Sequence, residues 1–409
     1  MTHLHDYRDI VGDEAIAKIY QKAELLYGKR ILHINSTYMG GGVAEILTSL
    51  VPLMNDVGLD ADWRILKGNV DLFNITKKFH NALQGETINL SAMKKNLYID
   101  ANRAFAVYAL IDHDAVIVHD PQPLPLIAFY KKKQPWIWRC HIDLSNPNDI
   151  LWDFLKGFIL RYNSVIVSHP NYKKNDLPLT HRVIAPVIDP LTPKNMVLGK
   201  KDISKYLKKF GVPTDKPVIA QISRFDKWKD PLGVIEIFKK VREKVPCRLV
   251  LCGSMASDDP EGVKIFYKVK QKANSMVVNG DIILLTIENN ILVNALQSIS
   301  AVIIQKSLRE GFGLTVTEAL WKGKPVVASN VGGIPLQIKD GKNGYLLDPD
   351  DTQGFADRIV EIIKNPNLAK ELGKRGHESV RKKFLITRLL SDYLDLLTEE
   401  IHNGRTCNM

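Results

Sequence analysis

The sequence predicts an α/β protein of two doubly wound domains, each an open parallel sheet with helices on both faces. Three observations predict it. Short runs rich in valine and isoleucine alternate with longer amphipathic runs through most of the chain, the pattern of strand–helix–strand units. Many of the short runs are continuously apolar, as strands buried on both faces must be. Prolines 186, 190 and 193 interrupt the series, and a second series begins after them. A chain of 409 residues suits two such domains.

In order, residues 6–27 read as an amphipathic helix, with Ile10, Ala15, Ile19 and Leu26 among its apolar positions. Residues 30–35 form the first strand. Gly40, Gly41 and Gly42 follow, and a helix then runs to about Val57. The glycines do not have the G-x-G-x-x-G spacing of a dinucleotide fingerprint. They read equally as a tight turn or as an anion-facing loop at a helix N-terminus. Residues 61–66 are the second strand, and 72–110 are mostly helical with a break at Gly85. Residues 114–119, 135–140, 164–168 and 182–185 complete the first set of strands. In the second half, strands are expected at 217–223, 247–252, 282–285, 301–305 and 325–329. Helices are expected at 230–244, 262–276 and 289–299, with Asp230 as a cap and Pro231 in first position. Beyond the turn at 340–344 only helices with charged outer faces are expected. The last, about 386–402, is expected to pack back on the first domain, with 403–409 frayed. The domains therefore run 1–190 and 191–385.

Composition narrows the function. With 45% hydrophobic and 25% charged residues the chain has the balance of a soluble globular protein. Lysine plus arginine total 56 against 45 acidic residues, a formal charge of +11. No block of five like charges marks a nucleic-acid arm. The excess reads as diffuse charge on helix faces, or as local cations for an anionic substrate. Cys140, Cys247, Cys252 and Cys407 form no C-x-x-C pair, so reduced thiols in the cytoplasm are expected. The polar N-terminus has no signal-peptide core. No apolar run approaches the roughly 18 residues of a membrane span. Neither nucleic acid nor membrane is an expected partner.

The chemistry centres on Glu310–Lys322, E-G-F-G-L-T-V-T-E-A-L-W-K. A strand runs into it, Gly311 and Gly313 bracket Phe312, and a helix starts near Leu314. The first amides of a helix lack partners within it and carry its positive end, so an anion docks there. Glu310 repels phosphate but accepts from hydroxyls. The stretch therefore suits a ligand carrying both, such as a sugar nucleotide. Arg224 and Lys229, in S-R-F-D-K-W-K-D-P, stand at the mouth of the same sheet. A guanidinium grips phosphate in two-pronged fashion and an ammonium adds a compact charge. In the first half, His119, Asp120, His141 and Asp143 fall at the carboxyl ends of strands, where such sheets bind ligands. Hydrogen bonding to sugar hydroxyls fits them better than metal ligation.

Three motifs in this order, S-R-F-D-K-W-K-D-P, E-G-F-G-L-T-V-T-E and G-K-P-V-V-A-S-N-V-G-G-I-P, resemble those of the retaining GT-B glycosyltransferases akin to sucrose synthase and glycogen synthase. The likeness is closest to the trehalose synthase family within that group. It extends to H-I-N-S-T-Y-M-G-G-G-V-A-E-I-L, F-H-N-A-L-Q-G, H-D-P-Q-P and Q-P-W-I-W-R-C-H-I-D-L-S, and so covers nearly the whole chain. Leu336 departs from the broader group, where an acid usually follows G-G-I-P.

The resemblance implies a GT-B fold, two Rossmann-like domains facing across a cleft. It implies a retaining transfer of glucose from UDP- or ADP-glucose to glucose, forming trehalose. Arg224 and Lys229 would hold the diphosphate. Glu310 would take the donor-sugar hydroxyls, with the backbone of Gly311, Phe312, Gly313, Leu314 and Thr315, and Glu318 the ribose. Gly41 and Gly42 would close over phosphate or acceptor. His141 would contact the donor sugar, and Asp120 and Asp143 the acceptor. No protein-bound metal or cofactor is implied; Mg2+ would act only on the nucleotide sugar, and a homodimer is an allowed assembly. Competing readings are a glucosyltransferase with a sugar-phosphate acceptor, a trehalose phosphorylase, a sugar-nucleotide epimerase, a non-catalytic nucleotide sensor and, from charge alone, a nucleic-acid binder.

Overall fold

The computed structural model describes residues 2–38, 41–253 and 260–406. Gly40, Cys407 and the last two residues of the tail lie outside the described residues. The chain divides into two units, Met1–Val187 with Ile386–Met409, and Ile188–Leu385.

The first unit is built on six parallel strands: β1 (Arg30–Asn35), β2 (Asp60–Ile65), β3 (Ala115–His119), β4 (Trp136–Cys140), β5 (Ser164–Val167) and β6 (Thr180–Val183). Their order across the sheet is β2-β1-β3-β4-β5-β6. Every residue of β3 and β4 is buried, which explains their largely apolar sequence. The order reverses between β1 and β3, and ligands bind beside such a reversal at the carboxyl edge. Trp136, Trp138, Phe79, Tyr98 and Tyr162 fill the core under this sheet.

The second unit has β7 (Val218–Ile222), β8 (Arg248–Cys252), β9 (Ile282–Leu285), β10 (Val302–Gln305), β11 (Val326–Ser329) and β12 (Tyr345–Leu347). They lie in the order β12-β11-β10-β7-β8-β9, again parallel. This sheet reverses between β7 and β10. Helices start on side-chain caps: Asp230 accepts from the Gly233 amide at 3.0 Å and Pro231 follows it, while Asn289 accepts from Leu292 at 2.8 Å.

Several expectations need correction. The first helix is not continuous: a turn at Leu4–Tyr7 and another at Arg8–Val11 precede a helix at Asp13–Glu24. Gly12 separates them with φ +87°, a conformation helices exclude. The 72–110 region is two helices, Val70–Leu83 and Ala92–Tyr108. The edge strand β6 starts two residues before its expected place. A helix at Lys200–Lys209 and strand β12 were not expected. β12 has only three residues, too short to show periodicity. The last helix, Ile386–Thr406, continues through residues expected to fray. It packs on Asp13–Glu24 and Gly42–Asp56 of the first unit, with Lys22 donating to Ser391 at 2.8 Å.

Candidate functional site

In the second unit the predicted residues gather where β7 and β10 end, at the sheet reversal. Arg224 follows β7. It is exposed and reaches Asp226 at 3.8 Å. Lys229 closes a short turn after it and forms an ion pair with Glu310. Glu310 is buried and also accepts from Gln305 at 3.3 Å and Ser307 at 3.2 Å. Sequence reasoning gave Lys229 to phosphate and Glu310 to sugar hydroxyls; the structure joins the two side chains. A second pair, Lys306 with Asp230, lies beside them.

The chain turns into the helix Leu314–Trp321 at Gly313, which has φ +85°. Leu314 and Thr315 open the helix, so their amides have no intrahelical carbonyl to bond. The Thr315 hydroxyl donates to the Ile222 carbonyl at 3.1 Å, tying this turn to the end of β7. Gln337 donates to the Phe312 carbonyl at 2.6 Å and accepts from Thr317 at 2.6 Å. Gly333 lies so close beneath that an added Cβ would stand 2.7 Å from the Gly311 carbonyl oxygen. These contacts fix the Gly311–Gly313 backbone. Gln337, next to the unusual Leu336, was missed; its only signal was a buried amide in a glycine-rich turn.

Glu318 stands apart from Glu310. It is buried, pairs with Lys194 at 3.1 Å and accepts from Gln297 at 2.9 Å. Burial pushes its pKa up, but Lys194 and Lys322 outweigh burial and hold it below its ordinary value. Burial drives Lys322 down to about 8, against the pull of Glu318. Lys194 comes from the proline-rich segment that reads as a linker in sequence, and it too was missed.

In the first unit His141 and Asp120 lie together at the ends of β4 and β3. Asp120 has φ +62° and its carboxylate accepts from the His141 amide at 2.7 Å. Burial raises the Asp120 carboxyl to about 7, against that amide and Arg139. Asp143 is buried and accepts from the Ser145 amide at 2.8 Å, closing the turn after His141. His119 Nδ1 is 3.0 Å from His141 Nε2, and His33 Nδ1 is 3.1 Å from His119 Nε2. Arg139 Nε donates to His141 Nε2 at 3.2 Å. His33 and Arg139 were not singled out from sequence. The signal was there: each is a polar residue between two apolar neighbours in a strand. Gly41 precedes the helix Gly42–Asp56 and is exposed. A hollow of about 800 Å3 opens after β2, past Lys67 and Asn69; no sequence-predicted site residue lines it. Among the described residues no three or more His, Cys, Asp or Glu side chains are arranged to hold a metal ion. No described helix is long and apolar enough to cross a membrane.

Two family models match the chain: "Trehalose synthase, N-terminal domain" over residues 33–174, and "Glycosyl transferases group 1" over residues 202–379. A trehalose synthase of Pyrococcus horikoshii is 47% identical over 96% of this chain and 95% of its own length. A trehalose phosphorylase of Pleurotus pulmonarius is 28% identical over 90% of this chain and 57% of its own. Among solved structures, an α,α-trehalose 6-phosphate synthase of Burkholderia multivorans superposes with a TM-score of 0.73 at 15% identity. The match covers 93% of this chain and all of that one.

Proposed function

The chain belongs to the trehalose synthase family of GT-B glycosyltransferases, and from that premise we propose that it transfers glucose from UDP- or ADP-glucose to free glucose, with retention, forming trehalose. The observation that carries the reading is the buried Glu310 carboxylate at the start of a helix, paired with Lys229. A carboxylate there takes hydroxyls, while the Leu314 and Thr315 amides, Lys229 and Arg224 attract phosphate. A sugar nucleotide answers both demands.

Cleaving the anomeric bond leaves negative charge on the departing diphosphate. Arg224 and Lys229 stabilise it, and one oriented donor of this kind contributes about 3 kcal/mol. Lys229 is held against Glu310 until the ligand arrives; sugar hydroxyls then donate to Glu310 while the ammonium turns to phosphate. Glu318 takes the ribose, with Lys194 giving way. His141 is assigned to the donor sugar, Asp120 and Asp143 to the acceptor, and Gly41 and Gly42 to phosphate or acceptor. Glu310 is committed to hydroxyls and is not a nucleophile. The likeness to retaining GT-B enzymes favours transfer on the front face, with a diphosphate oxygen taking the acceptor's proton. No cofactor is needed, and Mg2+ would act only on the nucleotide sugar.

The phosphorylase relative favours a second reading, in which glucose 1-phosphate is the donor and phosphate the leaving group. One experiment separates them: the protein is incubated with glucose and, in turn, UDP-glucose, ADP-glucose and glucose 1-phosphate, and the products are read by NMR. An α,α-linked disaccharide from a nucleotide sugar supports the proposal. Product from glucose 1-phosphate alone would establish the phosphorylase. Turnover only when glucose 6-phosphate replaces glucose in the same incubation would overturn the acceptor assignment.

A further inference from the structure

Three imidazoles of the first unit form a line that ends at a guanidinium. We propose that Arg139 is a positioning residue that holds His141 as the neutral Nδ1–H tautomer, so that His141 meets the sugar as a fixed hydrogen-bond donor and never as a proton acceptor. The inference rests on the assignment of His141 to the donor sugar.

A guanidinium has only N–H groups to offer. Arg139 Nε donates to His141 Nε2 at 3.2 Å, so that nitrogen is bare and a neutral ring carries its proton on Nδ1. His119 Nδ1 faces the same Nε2 at 3.0 Å and must therefore supply a proton. His119 Nε2 is then bare, and it accepts from His33 Nδ1 at 3.1 Å. His33 Nε2 ends the line, buried and without a partner. This assignment leaves no contact repulsive, the one lone pair of His141 Nε2 being shared between two donors. Turning over any single ring sets two lone pairs or two protons face to face.

The line also excludes charge. A second proton on any ring would place a cation in a buried row beside Arg139. Burial and then Arg139 lower His33 to about 3. Burial, the neighbouring rings and Arg139 hold His119 well below its ordinary value, and burial with Arg139 does the same to His141. Arg139 is itself fixed: its Nη2 donates to the Ile184 carbonyl at 3.1 Å, and its guanidinium stands 5.6 Å from the Tyr393 ring centre. The His141 amide is pinned to Asp120. At the other end from His33 Nε2, His141 Nδ1 is left outside the line, and its ring is half-buried rather than enclosed. Neutral imidazole in water prefers its proton on Nε2. Arg139 therefore selects the minor form and presents its N–H at the carboxyl edge of the sheet.

The test is long-range proton–nitrogen NMR on the full chain carrying 15N-histidine, at neutral pH, with the signal identified by its loss in His141→Asn. The expected result is an Nδ1–H ring at His141. An Nε2–H or doubly protonated ring would overturn the proposal, and the wild-type spectrum requires neither activity nor a variant of Arg139. Arg139→Met should let all three rings turn over together, moving the His141 proton to Nε2, and lower kcat at least about tenfold. Arg139→Gln, which keeps an N–H donor, should retain the tautomer and most of the turnover. Unchanged kcat in an Arg139→Met protein whose tautomer has switched would overturn the positioning role. Failure of the proposed reaction would look different: no trehalose from the wild-type protein, whatever the spectrum.

Discussion

At the carboxyl edge of the first sheet the polar groups are neutral rings beside one guanidinium, with the Asp120 and Asp143 carboxyls held on backbone amides. At that of the second they are cations and carboxylates in pairs: Lys229 with Glu310, Lys306 with Asp230, Lys194 with Glu318. Both edges solve the same problem, keeping polar groups in a place that water leaves when a ligand binds. Neutral rings cost little to bury and fix direction. Paired ions are costly to desolvate and costlier to part, but they hold charge ready for an anionic ligand. The first edge is thus built for orientation and the second for charge.

The comparison can be broken at its strongest point first. Glu310→Gln keeps the shape but removes the charge that sugar hydroxyls and Lys229 share. Turnover should fall at least about a hundredfold, the scale of losing an oriented electrostatic partner, as read by initial rates at saturating donor. Near-normal turnover would remove charge from the account of this edge. Arg224→Ala should lower kcat at least about tenfold. Because Arg224 is exposed, its thermal midpoint should stay near that of the wild type. Lys306→Met leaves the Asp230 carboxylate without its cation and should cost about 1–3 kcal/mol of stability in denaturant titration.

The smallest effect sharpens the first edge. The folded state raises Asp120 from 3.8 to about 7, so it favours the protonated carboxyl. That contribution is complete below the unfolded value and is lost as pH rises through the folded one. Asp120→Asn cannot ionise and still accepts from the His141 amide. The melting temperature of this variant relative to the wild type should therefore rise between about pH 4 and pH 7. A difference that is flat across that window would show that Asp120 ionises freely.

Most strands were legible in the sequence because parallel strands buried on both faces are largely apolar. Asp230 and Pro231 announced their helix because capping needs few residues in fixed order. Part of the second edge was legible too, since glycines, a helix start and two carboxylates crowd one short stretch, whereas Lys194, Lys306 and Gln337 were not. What was not legible is pairing over distance. Lys229 and Glu310 lie in different strand–helix loops, and only the adjacency of β7 and β10 brings them together. Arg139 and His33 looked like exceptions within apolar strands. Their meaning lies in the order β1-β3-β4, which aligns three imidazoles that the chain separates.

The first unit is discontinuous: its sheet is finished by Val183, yet its last helix, Ile386–Thr406, comes after the whole second unit. The second unit can therefore be complete while the first still waits for Leu389, Leu390, Leu394 and Leu397, which are fully buried in the finished fold. A chain whose last helix has not docked carries one finished body and one with an open apolar seam. That intermediate is where chaperones should engage this protein.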